Sequence, residues 1–385
     1  MITRLHVENY RAFSDFTLEL GPKTLLMGLN GSGKSSVFDV LAAIRDLVVE
    51  GEKCENVFPL SSIPRWLKGD KPQIFQQRFE LDFEDQDGPL RYELVIEQNQ
   101  KEAQSRVLSE RLTADEKPLF ELLHDEIQTY KRDHTKGPKL PAPYPSLSAI
   151  GFSPENPFYL DGSRLKRKMR SVECLRVDPS SMNHSHSERE ERRLKRDLSN
   201  FPSWYRSALT ADLAAGIEYL ATIKEVIGGM ESLDLEEIGQ GHRRLRAAFA
   251  CVPDRKTKTK PKASSRFWLY FDELSEGQRV LIALYAILHF LLPKLTTFCI
   301  DEPDNFIALA EIQPWLFGVL DRVDESGGQV VIASHHPELI NMLAPDHGII
   351  LERDGAGPIT ARKYKTDRES KLAPAERVAR GWEHE

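Results

Sequence analysis

The chain's 385 residues leave room for two domains or for one core with a large insertion, and 40% apolar with 29% charged side chains describes a soluble globular protein with a sizeable core. A net charge of −7 excludes a surface that attracts nucleic acid everywhere, because phosphate attraction needs concentrated Lys and Arg; any such contact is local. Four scattered cysteines, Cys54, Cys174, Cys251 and Cys299, form no C-x-x-C pair, which argues against a zinc site or a disulfide framework and suits a reducing cytoplasm.

In chain order, residues 2–7, 16–20 and 24–27 read as strands, and residues 78–84 and 90–97 as a hairpin around Asp85-Gln86-Asp87-Gly88-Pro89. Together they make an antiparallel layer. Residues 1–11 alternate polar and apolar side chains and lack the apolar core of a leader peptide. From residue 98 the pattern degrades, with prolines gathered in 136–145 and 153–157. Helices are predicted at 188–198, 202–220 and 223–230, none regular enough in heptads for an extended coiled coil. The stretch 98–266 is therefore expected to be a largely helical insertion, a lid or arm.

Order returns with a strand at 267–271, an apolar helix at 277–292, a buried strand at 296–300, a helix at 308–323, a strand at 329–333 and a helix at 338–343. The apolar run 280–292 is too short to span a bilayer and contains His289, so no membrane association is expected. Alternating strand and helix implies a parallel sheet with ligand groups at the carboxyl ends of its strands. The expected division is 1–97, 98–266 and 267–385.

Three segments concentrate positive charge: 164–170, 189–196 and 255–266. The middle one pairs Glu188 with Arg192 and Glu191 with Lys195 at i,i+4, the pattern of a solvated helix face. Lys166, Arg167 and Lys168 in the first, and Lys256, Lys258, Lys260 and Lys262 in the third, suit either phosphate contact with DNA or plain solvation. His184 and His186 lack further ligands and read as part of a polar loop.

The chemistry is concentrated at residues 28–36. Gly28, Asn30, Gly31, Ser32, Gly33, Lys34, Ser35 and Ser36 contain a complete G-x-x-x-x-G-K-[ST] loop that follows a strand and opens a helix, which is the context such a loop needs. Its glycines let successive N–H groups turn inward, and the following helix adds its positive end, so the loop is a site for phosphates. Lys34 would reach the β- and γ-phosphates of ATP, and the Ser35 hydroxyl would hold Mg²⁺. Asp301 and Glu302, at the end of an apolar strand, supply a second metal ligand and a carboxylate to orient the attacking water.

Leu274-Ser275-Glu276-Gly277-Gln278-Arg279 resembles the ABC ATPase signature in the form found in RecF, SMC and OLD-type proteins. The rest follows in that family's order: the Asp-Glu pair, then Ser334-His335-His336-Pro337, similar to its T-H-S-P segment, which places His335 at the switch position. Asn9-Tyr10-Arg11 resembles the family's N-[FY]-R segment and brings Arg11 toward the nucleotide. The resemblance covers both ends of the chain, about half its length, and implies an α/β P-loop ATPase head of ABC type. It further implies that Ser275, Gly277 and Gln278 complete the nucleotide site of a second subunit, so that a homodimer encloses ATP and Mg²⁺. His335 would sense the γ-phosphate, with His336 the lesser candidate, and Glu302, Lys34 and His335 would carry catalysis.

Asp304-Asn305-Phe306-Ile307-Ala308-Leu309 departs from the family's D-loop, where only Asn305 and Ile307 fit, and Gln73 is taken as the metal-facing glutamine ahead of Gln76 and Gln77. About fifty residues follow His335, less than a TOPRIM nuclease needs. The resemblance therefore implies a separately encoded effector, often in phage defence, with DNA repair of the RecF/SMC kind as the alternative. A transporter subunit is disfavoured by the wide separation of Ser35 and Ser275, and a scaffold that hydrolyses slowly or not at all is the third reading.

Overall fold

The structure, a computed structural model, describes residues 1–67, 73–84, 88–123, 126–130, 135–141, 159–251, 266–366 and 372–380. In chain order the strands and helices are β1 (Ile2–Tyr10), β2 (Phe13–Glu19), β3 (Lys23–Met27), α1 (Lys34–Arg45), α2 (Cys54–Val57), β4 (Ile74–Phe83), β5 (Leu90–Asn99) and β6 (Gln104–Ala114). There follow β7 (Lys117–Leu123), β8 (Glu126–Tyr130), β9 (Lys136–Pro141), α3 (Tyr159–Arg170), β10 (Val172–Arg176), β11 (His186–Ser187), α4 (Phe201–Ala211), α5 (Leu213–Val226), β12 (Met230–Gly239), β13 (His242–Ala250) and β14 (Arg266–Tyr270). The chain closes with α6 (Glu276–Ala286), β15 (Thr297–Asp301), α7 (Leu309–Ser326), β16 (Gln329–Ala333), α8 (Pro337–His347), β17 (Gly348–Arg353), β18 (Ile359–Lys363) and α9 (Pro374–Arg380). Among the described residues no helix is long and apolar enough to cross a membrane.

Internal contacts divide the chain into two units: Met1–Cys174 with Thr296–Cys299 and Gly327–Glu385, and Leu175–Leu295 with Ile300–Ser326. The first unit holds an antiparallel sheet of eight strands in the order β2-β1-β4-β5-β6-β7-β8-β9. Its alternation is plain in β5, where Leu90, Tyr92, Leu94 and Ile96 are buried and Arg91 is exposed. Glu80 on β4 accepts hydrogen bonds from Arg4, Arg78 and Arg91. Burial alone would raise its carboxyl, but the Arg4 hydrogen bond and the charges of Arg91 and Arg78 outweigh that and hold it below its ordinary value. A second sheet has the order β10-β15-β16-β3-β17-β18, with β16 and β17 parallel to β3 and β18 antiparallel to β17. Helix α1 buries Val37, Phe38, Val40, Leu41 and Ile44 in the same apolar cluster as Phe79, Leu81 and Leu94 of the first sheet and Val331 of the second.

In the second unit β13 pairs with β11, β12 and β14, all antiparallel. An aromatic group, Phe201, Trp204, Tyr205, Tyr219, Phe271 and Phe290, fills its interior. The buried polar tips are satisfied by helical carbonyls: Tyr219 Oη donates to Ile282 O at 3.0 Å and Trp315 Nε1 to Leu284 O at 2.8 Å.

The structure corrects several expectations from sequence. The stretch 98–266 is not largely helical: β6 to β9 extend the first sheet, and β12 and β13 form most of another. Residues 98–174 accordingly group with the N-terminal unit, so the boundaries of the 1–97, 98–266 and 267–385 division do not match the units. No helix forms at 188–198, because the Asn200 side chain supplies the local partners instead, accepting from Lys195 N at 2.8 Å and donating to Arg193 O at 2.9 Å. The expected helix 202–220 breaks at Asp212, whose carboxylate caps the next helix by accepting from Ala215 N at 3.0 Å. Helix α5 ends at Val226, so Met230 lies in β12 and not in a helix. Asp85, Gln86 and Asp87, the proline-rich 142–145 and 153–157, and Lys256, Lys258, Lys260 and Lys262 lie outside the described residues.

Candidate functional site

Strand β3 is buried from Thr24 to Met27 and hands the chain directly to the loop at 28–33. Gly28 has φ +147, and a Cβ there would stand 2.3 Å from the Leu351 carbonyl and 2.6 Å from Ser32 Oγ. Gly33, at φ +95, would press a Cβ to 2.3 Å from Ile359 Cδ1. Only glycine fits either position. Lys34 is 6% exposed, and its Nζ donates to Gly28 O at 2.7 Å and Leu29 O at 3.3 Å, so the ammonium is held inside the curl of the loop. Ser32 is buried, Ser35 and Ser36 are half-buried at the start of α1, and Asn30 and Gly31 are exposed at the loop's tip.

Neighbouring elements of the same unit converge there. Ala333 pairs with Leu26, and Ser334 N donates to Leu26 O at 3.2 Å, so His335 follows a strand end beside the one that leads into the loop. His335 is exposed, whereas His336 caps α8, its Nδ1 accepting from Glu338 N at 3.2 Å. Arg11, at φ +52, forms an ion pair with Asp39, one helical turn beyond Ser35 on α1. Sequence reasoning overlooked Asp39, although its i,i+4 spacing from Ser35 was legible.

Gln73 lies elsewhere in the pattern. Its backbone exchanges bonds with Gln100, Gln73 N to Oε1 at 3.1 Å and Gln100 N to Gln73 O at 3.1 Å, and its side chain is exposed. Of Gln73, Gln76 and Gln77, Gln77 is the one that is wholly buried, donating to Asn9 O at 2.8 Å and Ser62 O at 3.2 Å and accepting from Gln98 at 2.8 Å. The basic segment on α3 is only partly a surface: Arg164 is buried and bonded to Gly88 O, and burial together with Arg170 pushes the Lys166 ammonium below its ordinary value. Arg167 and Arg170 are exposed.

In the second unit Ser275 caps α6. Its Oγ accepts from Gln278 N at 3.3 Å while Gln278 Oε1 accepts from Ser275 N at 3.1 Å, a reciprocal capping box that fixes the start of the signature helix. Gly277 is required by close approach, since a Cβ would lie 2.9 Å from Phe306 O. Asp301 is 2% exposed, and its carbonyl accepts from Val177 N at 3.3 Å. Glu302 follows at φ +50, and its Oε2 accepts from Asn305 Nδ2 at 2.7 Å.

These residues fit a nucleoside triphosphate with a divalent cation. In the first unit, Gly28 and Gly33 with no room for a Cβ and a lysine enclosed by the loop suit phosphate oxygens, and the Ser35 hydroxyl is a hard oxygen donor of the kind Mg²⁺ takes; in the second unit the Asp301 carboxylate is another.

The chain is similar in structure to an SMC head bound to the C-winged helix domain of ScpA, with a TM-score of 0.55 and 12% identity over 94% of this chain and 97% of that one. It also aligns with the SMC head domain from Thermotoga maritima (TM-score 0.47, 12% identity, 95% and 99% covered). A third alignment is with an SMC head carrying an extended coiled coil bound to the C-terminal domain of ScpA derived from Pyrococcus furiosus (TM-score 0.48, 10% identity, 100% and 98% covered). At such identity the first likeness shows the fold alone, that of an SMC head. A comparison with curated proteins finds no match. Residues 23–341 match the family described as "AAA domain, putative AbiEii toxin, Type IV TA system", and with most of its length inside that match the chain belongs to this family of AAA-domain proteins.

Proposed function

We propose that the protein binds and hydrolyses ATP, dimerising around it, and that the dimer is a switch acting on a separately encoded effector or on DNA. Lys34, enclosed by the loop it would use to hold phosphates, is the observation that carries this reading. In this reading the loop N–H groups and Lys34 would bind the β- and γ-phosphates, and Ser35 and Asp301 are the residues that would hold Mg²⁺, which would supply charge neutralisation. Arg11 would face the nucleotide in this reading, and its ion pair with Asp39 of α1 supports that placement. Glu302 accepts a proton from water as the water oxygen bonds the γ-phosphorus and ADP leaves. Ser275, Gly277 and the start of α6 meet the γ-phosphate of a second copy, and His335 donates to the γ-phosphate and registers its loss.

Defence against phage is the setting supported by the family's description as a toxin of a toxin–antitoxin system. The likeness to an SMC head supports the alternative, a repair or recombination ATPase. Equilibrium binding of ATP and phosphate release, measured on wild type and Lys34→Ala, test the assignment. Lys34→Ala is expected to lose both, and unchanged affinity and turnover overturn it.

A further inference from the structure

The segment after Asp301 is a tight turn whose strain has a readable cause. Asn305 N donates to Glu302 O at 3.3 Å and Ile307 N to Asp304 O at 3.4 Å, while Ala308 N donates to Glu311 Oε2 at 3.1 Å at the entry to α7. Glu302 at φ +50 and Phe306 at φ +72 both adopt the left-handed conformation, which costs a non-glycine residue about 1 kcal/mol or more. Such strain persists where contacts over-determine it. Two contacts do so here. Asn305 Nδ2 holds Glu302 Oε2 at 2.7 Å, and the Phe306 carbonyl lies so close to Gly277 that a Cβ at that position would stand 2.9 Å from it.

We propose that Asn305 is a positioning residue for the Glu302 carboxylate, and that the Phe306 carbonyl seated on Gly277 ties this position to the signature helix. The inference rests on the reading of Glu302 as the base. A glutamate beside an open turn samples several rotamers, and only some of them present an oxygen to a water held in line with the γ-phosphorus. One amide donor fixes the rotamer, and a carboxylate with room for about four hydrogen bonds keeps acceptor capacity for water. Because Asn305 and Phe306 are adjacent, a shift of the signature helix as it meets a second copy is passed through Gly277 and Phe306 to Asn305, and so to the group that handles the proton. The bond between Glu302 and Asn305 thereby links dimer closure to hydrolysis within one subunit.

The test separates kcat from binding. Asn305→Ala is expected to lower kcat about tenfold while KM and the equilibrium affinity for ATP stay within about twofold, since a hydrogen bond to a charged group is worth about that much. Asn305→Asp sets a like charge against Glu302 and lowers kcat further. Glu302→Asp withdraws the carboxylate by one methylene, so adding Asn305→Ala to it costs less than about twofold more. Asn305→Ser, too short to reach Glu302, repeats the measurement should Asn305→Ala fail to fold. The inference is overturned if Asn305→Ala leaves kcat unchanged or raised, if it weakens ATP binding as much as turnover, or if its effect multiplies fully with that of Glu302→Asp. Wild-type turnover in Glu302→Gln removes the base assignment itself; an inactive Glu302→Gln beside a normal Asn305→Ala removes this inference alone.

Discussion

The backbone N–H of Ser334 donates to the carbonyl of Leu26 at 3.2 Å, so the strand that delivers His335 and the strand that delivers the phosphate loop end side by side. Two segments more than 300 residues apart in the chain are thus brought to the same end of one sheet, the arrangement that the proposed reading of His335 as a γ-phosphate sensor requires.

Loop glycines should differ sharply in their tolerance of a methyl group. Gly28→Ala drives a Cβ against the Leu351 carbonyl, and Gly31→Ala, at φ +83 with nothing within 4 Å, meets only backbone strain. Gly31→Ala is expected to cost about 1 kcal/mol and to keep ATP binding, and Gly28→Ala to cost more than about 2 kcal/mol and to lose it. Chemical denaturation with ATP titration on both variants checks this, and equal effects count against the cradle.

Glu302→Gln should keep ATP affinity and lose hydrolysis, since an amide cannot accept the proton from water. ATP then persists between the subunits, and light scattering should show an ATP-dependent dimer accumulating. A variant that stays monomeric at all concentrations argues against the enclosed nucleotide.

Ser275→Arg should fail in ATP-driven dimerisation and turnover while each isolated subunit still binds ATP through its own loop. Mixed with Lys34→Ala, it forms a dimer with one doubly defective site and one intact site. Partial recovery of turnover means that one site suffices; mixed dimers without turnover mean that both must act together. Normal dimerisation and hydrolysis by Ser275→Arg alone contradicts action in trans.

Glu80 is expected to contribute to the acid dependence of stability. Because its folded carboxyl lies below the unfolded value, the stabilisation is fully present above the unfolded value near 4.3 and is lost as pH falls through the folded one. Glu80→Gln should therefore destabilise the fold by about 1–3 kcal/mol near neutral pH, with the gap to wild type closing below about pH 4. Denaturation midpoints measured across pH 3–7 test the sign, and a gap that widens in acid contradicts it.

For DNA, Arg167 and Arg170 are exposed charges among the described side chains of α3. If they contact phosphates, replacing both by Ser flattens the salt dependence of binding by roughly two units of slope. An unchanged slope assigns them to solvation.

The phosphate loop, the signature, the Asp301-Glu302 pair and the strands leading into them were legible because each is local: glycine spacing, a capping pattern and runs of buried apolar residues are written in adjacent positions. The strands β6 to β9 were not legible, since what makes them a sheet is hydrogen bonding to β5 and onward, a pairing that no short window records. Residues 188–198 carry helix-like charge spacing, yet the Asn200 amide draws their backbone into a loop. By itself the sequence determined the fold class and the glycine-and-lysine pattern of the loop proposed to bind phosphate. Tertiary structure alone decided that Arg11 pairs with Asp39, that the Gln77 amide is buried in the core, and that Asn305 holds Glu302, because a side chain's partner depends on where the rest of the chain has been packed.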